Sequence, residues 1–118
     1  LEGMWHLVRI EESVTNTHTD VSNEVIFWSF QAKLLQLEDK TGTHNSFLYR
    51  FNINNNQLVL SSPYLFDREN GDHLLTTYDS SLSLYGVKNL TPIFNIERLK
   101  GDKLILGDGS VRLYFYKF

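Results

Sequence analysis

Residues 45–60 read NSFLYRFNINNNQLVL, and their spacing decides the fold. Phe47, Tyr49, Phe51 and Ile53 fall on one side of an extended chain, with Ser46, Leu48, Arg50 and Asn52 on the other. Side chains alternate faces along a strand, so this two-residue period marks a strand with one buried face. Asn54, Asn55 and Asn56 follow, and Asn tolerates the left-handed backbone that tight turns need. Gln57, Leu58, Val59 and Leu60 then resume the extended pattern. The segment predicts a β-hairpin, with the aromatic face inward and Arg50 outward.

The same period recurs at the C-terminus. Phe94 and Ile96 share a face over residues 93–99, and Lys100, Gly101 and Asp102 supply a turn. Residues 103–106 make a short strand, and Gly107, Asp108 and Gly109 turn again. Val111, Leu113 and Phe115 then alternate with Arg112, Tyr114 and Tyr116. Connections this short force antiparallel neighbours. Toward the N-terminus, residues 4–10, 25–30 and 33–38 read as strands, the second apolar on both faces with Trp28 at its centre. Residues 13–23, rich in Ser, Thr, Asn and Asp, read as a loop, and residues 39–44 as a polar turn. Residues 74–78 read as a strand, and residues 82–90 as a strand, a helical turn or an ordered loop.

Helix has little support. Ala32 is the sole alanine, so the best helix former is nearly absent. No stretch keeps the three-and-four apolar spacing over ten or more residues. Eight or nine short strands in 118 residues predict an all-β chain, an antiparallel up-and-down barrel or, alternatively, a β-sandwich. An open meander leaves two unpaired edges, and pairing the last strand with the first removes both, which favours the barrel.

Composition bounds the rest. A chain of 118 residues predicts one domain over 1–118. Fourteen acidic and eleven basic residues give a net charge of −3, which offers no basic footprint for nucleic acid. No apolar run approaches the roughly 18–20 residues of a membrane-spanning helix. Without cysteine, disulfides, thiolate catalysis and zinc–sulfur sites drop out.

The polar residues form no catalytic or metal-binding pattern. His6, His18, His44 and His73 lack the close spacing of a metal-binding pair. Glu11 and Glu12, like Glu38 and Asp39, are neighbours in sequence, and adjacent strand residues face opposite ways. Neither the nucleophile elbow nor a phosphate-binding glycine loop occurs. The sequence predicts no enzyme, no cofactor and no metal. Asn89-Leu90-Thr91 has the form of a glycosylation acceptor.

The chain opens Leu1-Glu2-Gly3-Met4-Trp5, and this Gly-x-Trp at the start of the first strand resembles the signature of the lipocalin and calycin barrels. IFWSFQAKLLQLED (26–39), FLYRFNINNNQLVL (47–60), LYGVKNLTPIFNIERLKGDKLIL (84–106) and VRLYFYKF (111–118) are similar to small lipocalin-like proteins of Bacteroides-type bacteria. The resemblance implies a closed antiparallel barrel. It also implies an exported cell-envelope protein, commonly a lipoprotein whose signal peptide and lipid-bearing Cys would precede Leu1. In such barrels Gly3 and Trp5 form a plug at the closed end under a basic residue of the last strand, here Arg112 first and Lys117 second. Strand parity points Arg112 outward, which conflicts with that role.

The leading expectation is a small apolar or amphipathic ligand at the barrel mouth, lined by Trp28, Tyr49, Phe51, Phe94 and Leu113, with residues 61–92 as rim or lid. The alternative is a barrel filled by its own aromatic side chains. Such a barrel acts as a structural or protein-interaction module, with Tyr114 and Tyr116 on the outer face of the last strand.

Overall fold

The computed structural model describes residues 1–67 and 69–118. Its strands are β1 (Gly3–Glu12), β2 (Thr17–Asp20), β3 (Ile26–Gln31), β4 (Leu34–Asp39), β5 (Ser46–Asn54), β6 (Gln57–Phe66), β7 (His73–Leu74), β8 (Ile93–Lys100), β9 (Lys103–Gly107) and β10 (Val111–Lys117). Eight of them form the barrel wall in the order β10-β9-β8-β6-β5-β4-β3-β1, and β10 pairs back onto β1 to close it. All pairings are antiparallel, as successive short turns require. The sandwich alternative is set aside by that closure.

Local chemistry explains the turns. Asn54 pairs with Gln57, and Asn55 and Asn56 between them have φ of 52° and 61°, the left-handed pair that suits a two-residue hairpin. That hairpin, the turns at 31–34 and 100–103 and both chain ends gather at one end of the barrel, which the registers define. The longer connections gather at the other end.

Two elements differ from the sequence reading, and a third, left open there, takes its helical alternative. Residues 17–20, read as loop, form β2, which pairs with β1 beyond the point where β3 stops. All four of its residues are exposed, so no apolar period marked it. The strand expected at 74–78 shrinks to β7, whose two residues pair with Tyr64 and Leu65. Residues 80–85 form a short 3-10 helix. Asp79 caps it by accepting a hydrogen bond from the Ser81 amide, and Gly86 ends it in the left-handed conformation.

Inward parity is right for Phe47 and Tyr49 on β5 and for Val111, Leu113 and Phe115 on β10, all buried, while Arg50 and Arg112 face solvent. It does not bury the rest of β5. Phe51 is half-buried and Ile53 is 48 % exposed. The reason is geometric: β4 begins at Leu34 opposite Arg50, so residues 52–54 pair with β6 alone and extend past the wall.

Aromatic rings fill the interior. Trp28 meets Phe115 at 5.1 Å and Phe94 at 5.8 Å between centroids, both edge-to-face, the arrangement the ring quadrupole favours. Phe27 points the other way, which accounts for a strand that is apolar on both faces. It is nonetheless buried, between the ring of His6 at 5.0 Å and that of Phe118 at 5.2 Å.

Candidate functional site

Three places could carry function: the two barrel ends and a cleft on the outer wall. Trp5 closes the end that holds the chain termini. It is 2 % exposed, and its Nε1 donates to the Leu1 carbonyl at 3.0 Å. The cation over it is Lys117, whose Nζ lies 4.7 Å from the ring centroid; Arg112 is not there. Trp5 stands opposite Lys117 on the β1–β10 seam, whereas Arg112 stands opposite Glu11 toward the other end. Lys117 also shares the inward parity of Val111, Leu113 and Phe115. Its ammonium donates to the Glu2 carbonyl and lies where a side chain at Gly3 would begin.

At the opposite end the expected rim has become a stopper. Leu82, Tyr85 and Val87 are fully buried, and the segment that carries them lies across the barrel mouth. Trp28 Nε1 donates to the Tyr85 carbonyl at 3.2 Å, and Tyr49 Oη to the Leu90 carbonyl at 2.8 Å. Tyr85 Oη donates to the Asn45 carbonyl at 2.7 Å. Burial pushes the Tyr49 and Tyr85 phenols well above their ordinary pKa, so both stay protonated donors. Trp28, Tyr49, Phe94 and Leu113 are each 1 % exposed or less. Phe51 lies apart from this group, packed edge-on against Phe30 at 5.0 Å.

The outer cleft was not foreseen. Glu11 on β1 is its centre. Glu11 Oε2 lies 2.8 Å from both Arg9 Nη2 and His18 Nδ1, and Oε1 accepts from Tyr114 Oη at 2.5 Å. The Tyr114 hydrogen bond, then the charges of Arg9 and His18, hold the Glu11 carboxyl below its ordinary pKa. Arg112 Nε donates to Glu97 Oε1 at 2.7 Å, and that bond raises the Arg112 pKa further. Glu12 turns away to Lys88, at 3.0 Å. The neighbours Glu11 and Glu12 thus both border the cleft but pair with different cations.

Backbone irregularities aim these groups. β1 carries a bulge at Val8, between Leu7 and Arg9, and β8 carries one at Glu97, between Ile96 and Arg98. A bulge re-aims the side chains around it. Gly107 completes the arrangement, because a Cβ there would lie 1.9 Å from Glu97 Oε2. Sequence reading could not find this cluster, since it joins residues from β1, β2, β8 and β10 whose registers are set by the whole barrel. The i, i+2 pair of Arg9 and Glu11 was its local trace.

The other histidines have separate partners. His44 Nδ1 lies 2.7 Å from Asp39 Oδ2, and His6 Nε2 lies 2.7 Å from the Glu24 carbonyl oxygen. Among the described residues no three His, Asp or Glu side chains group as a metal site, and no helix is long and apolar enough to cross a membrane.

Comparison with known proteins follows the geometry. A family model described as a lipocalin-like domain matches residues 1–118. A crystal structure of a lipocalin-like protein from Bacteroides uniformis is similar, with a TM-score of 0.72 at 20 % identity, over 100 % of this chain and 98 % of that one. An uncharacterized protein from Bacteroides eggerthii is also similar, with a TM-score of 0.66 at 15 % identity, over 99 % of this chain and 98 % of that one. At these identities the two structures speak for the fold. No curated protein matches the chain. With the Gly-x-Trp plug, the closed eight-stranded wall and a family match along its whole length, the chain belongs to the lipocalin-like domain family.

Proposed function

We propose that this chain is a non-catalytic binding module whose barrel is a solid scaffold and whose recognition surface lies outside it. The observation that carries this reading is the stopper. The side chains expected to hold a ligand, Trp28, Tyr49, Phe94 and Leu113, are fully packed, and the polar tips of the first two are consumed by the carbonyls of Tyr85 and Leu90. A buried apolar space that is already filled offers little to an apolar ligand. The packing therefore weighs toward the filled barrel and against a ligand at its mouth. The carboxylates of the outer cleft are paired with Arg9, Arg112 and Lys88, which leaves none of them as an unpaired acid or base and supports a non-enzymatic role.

We further propose that the domain is an exported, lipid-anchored protein of the cell envelope, as the resemblance to small lipocalin-like proteins of Bacteroides-type bacteria implies. Metabolic labelling of the host with a palmitate analogue checks this; a protein that carries no label is not lipid-anchored.

The test of the filled barrel is titration with the apolar fluorophore anilinonaphthalene sulfonate, together with native mass spectrometry of protein purified from its host. The expected result is no saturable fluorescence gain and a bare mass. A saturable gain, or a co-purified apolar molecule, would return the site to the barrel mouth.

A further inference from the structure

The outer cleft is preorganised. It encloses about 290 Å³, close to the lower bound of roughly 300 Å³ for small-molecule sites. Arg112 and Glu97 form one side, and residues 13–17 face the 109–110 turn across it. The two loops are tied together: Ser13 Oγ donates to the Gly109 carbonyl at 3.0 Å, and the Ser13 amide to the Ser110 carbonyl at 2.9 Å. Asp108 Oδ1 accepts from the Ser110 amide, the Ser110 hydroxyl and the Val111 amide, which fixes the turn. The β8 bulge and the open space over Gly107 set Glu97 across Arg112.

Charge narrows the ligand class. Glu11, Glu97 and Glu12 are matched by Arg9, Arg112 and Lys88, each within about one hydrogen bond of its partner. An anion would have to displace a carboxylate from its guanidinium, and a cation would meet the arginines. What remains unspent is the hydrogen-bonding capacity left over on groups whose charges are already paired. Glu97 Oε2, the Asn16 side-chain amide and His18 Nε2 have no hydrogen bond among the described residues, while the Asn16 backbone amide donates to the Ser13 carbonyl at 3.3 Å. The half-exposed guanidinium of Arg112 has N–H groups beyond the one that binds Glu97. Acceptor and donor thus stand side by side at Glu97 and Arg112. A pair of adjacent sugar hydroxyls has the complementary form: one hydroxyl donates to Glu97 and its neighbour accepts from Arg112.

We propose that this cleft is a binding site for a neutral saccharide, a proposal that rests on recognition taking place outside the barrel. Affinity is modest, with a dissociation constant on the order of 1 mM, because a few hydrogen bonds in an open cleft replace bonds to water.

Amide NMR spectra of the full chain, titrated separately with D-glucose, D-galactose, D-mannose and N-acetyl-D-glucosamine, test it. At least one sugar should shift the amides of Gly109, Ser110 and Arg112 saturably. Glu97→Gln, which keeps shape and removes charge, should weaken that binding by about tenfold, and unchanged Trp5 and Trp28 indole signals certify its fold. The proposal is overturned if no sugar shifts these amides, or if Glu97→Gln binds as well as the parent. It is also overturned if sulfate or glycine shifts them where no sugar does, since that marks an ionic ligand. The fluorophore titration reports separately: a silent barrel with a silent cleft sinks the saccharide alone, and a barrel that fills with fluorophore sinks the reading beneath it.

Discussion

At the scale of single residues, Trp5 and Glu11 carry different kinds of energy. Trp5 is buried area: its ring is 2 % exposed, with Lys117 at 4.7 Å. Trp5→Ala should cost about 3–5 kcal/mol, as for other buried large aromatics, read as a fall in the urea midpoint at constant slope. Lys117→Met should cost about 0.5–1 kcal/mol, the value of a partly exposed cation–π contact, and should move the Trp5 indole resonance. Arg112→Met should leave that resonance in place, and a shift there would restore Arg112 as the cap. Glu11 is charge: its folded pKa lies below its ordinary value. Stability from such a group is present above the ordinary carboxylate range and is lost as pH falls through the lowered value. Urea midpoints between neutral pH and pH of about 3 should therefore fall less steeply in Glu11→Gln than in the parent. Equal slopes would mean that the Tyr114–Glu11–Arg9 contact contributes nothing to folding.

At the scale of elements, the stopper depends on its cap. Gly86 has φ of +82°, and a Cβ there would lie 2.3 Å from Leu113 Cδ2. Gly86→Ala combines a left-handed strain with a clash into a buried side chain, and should destabilise by about 2–4 kcal/mol. If the stopper can lift, the variant should instead stay folded and bind anilinonaphthalene sulfonate, which would revive a ligand at the mouth. What the sequence revealed of these elements follows from period and turn chemistry. The 45–60 hairpin and the 93–118 meander were legible because each has one wet face and short turns. β2 was not, because all its residues are exposed and only its register with β1 makes it a strand. The stopper was legible only as an irregular apolar stretch: its burial comes from the barrel beneath it, and no local period encodes that. Lys117 was legible and was ranked second, although its parity with Val111, Leu113 and Phe115 pointed inward. The cleft was illegible, because Glu97 reaches Arg112 through a bulge that no single strand predicts.

At the scale of the whole molecule, the seam between β1 and β10 turns a meander into a barrel. It runs from Trp5 opposite Lys117 to Glu12 opposite Val111, and so joins the two ends of the chain. The Phe118 amide donates to the Met4 carbonyl at 2.9 Å, which brings the termini together at the end plugged by Trp5. The most distant contacts in sequence are thus the ones that remove both open edges. Bringing such ends together in the unfolded chain has a loop-closure cost that grows with the logarithm of the separation, and distant pairing slows folding. A permuted chain moves this cost to another pair of strands. Joining the termini through a short Gly-Ser linker and cutting between Asn55 and Asn56, both exposed in their turn, keeps every strand, makes the β1–β10 seam local and makes β5–β6 the distant pairing. β8 holds β6 at the cut, and β4 holds β5 from Arg50 back to Phe47. The permuted chain should fold to the same barrel at a rate within about threefold of the parent's, because one distant closure replaces another. Stopped-flow refolding at matched denaturant measures it. A rise of about tenfold or more would place β1–β10 pairing in the transition state, and a fall of about that size would place β5–β6 pairing there. A permuted chain that fails to fold would show instead that the Asn55–Asn56 turn, and not the seam, organises the barrel.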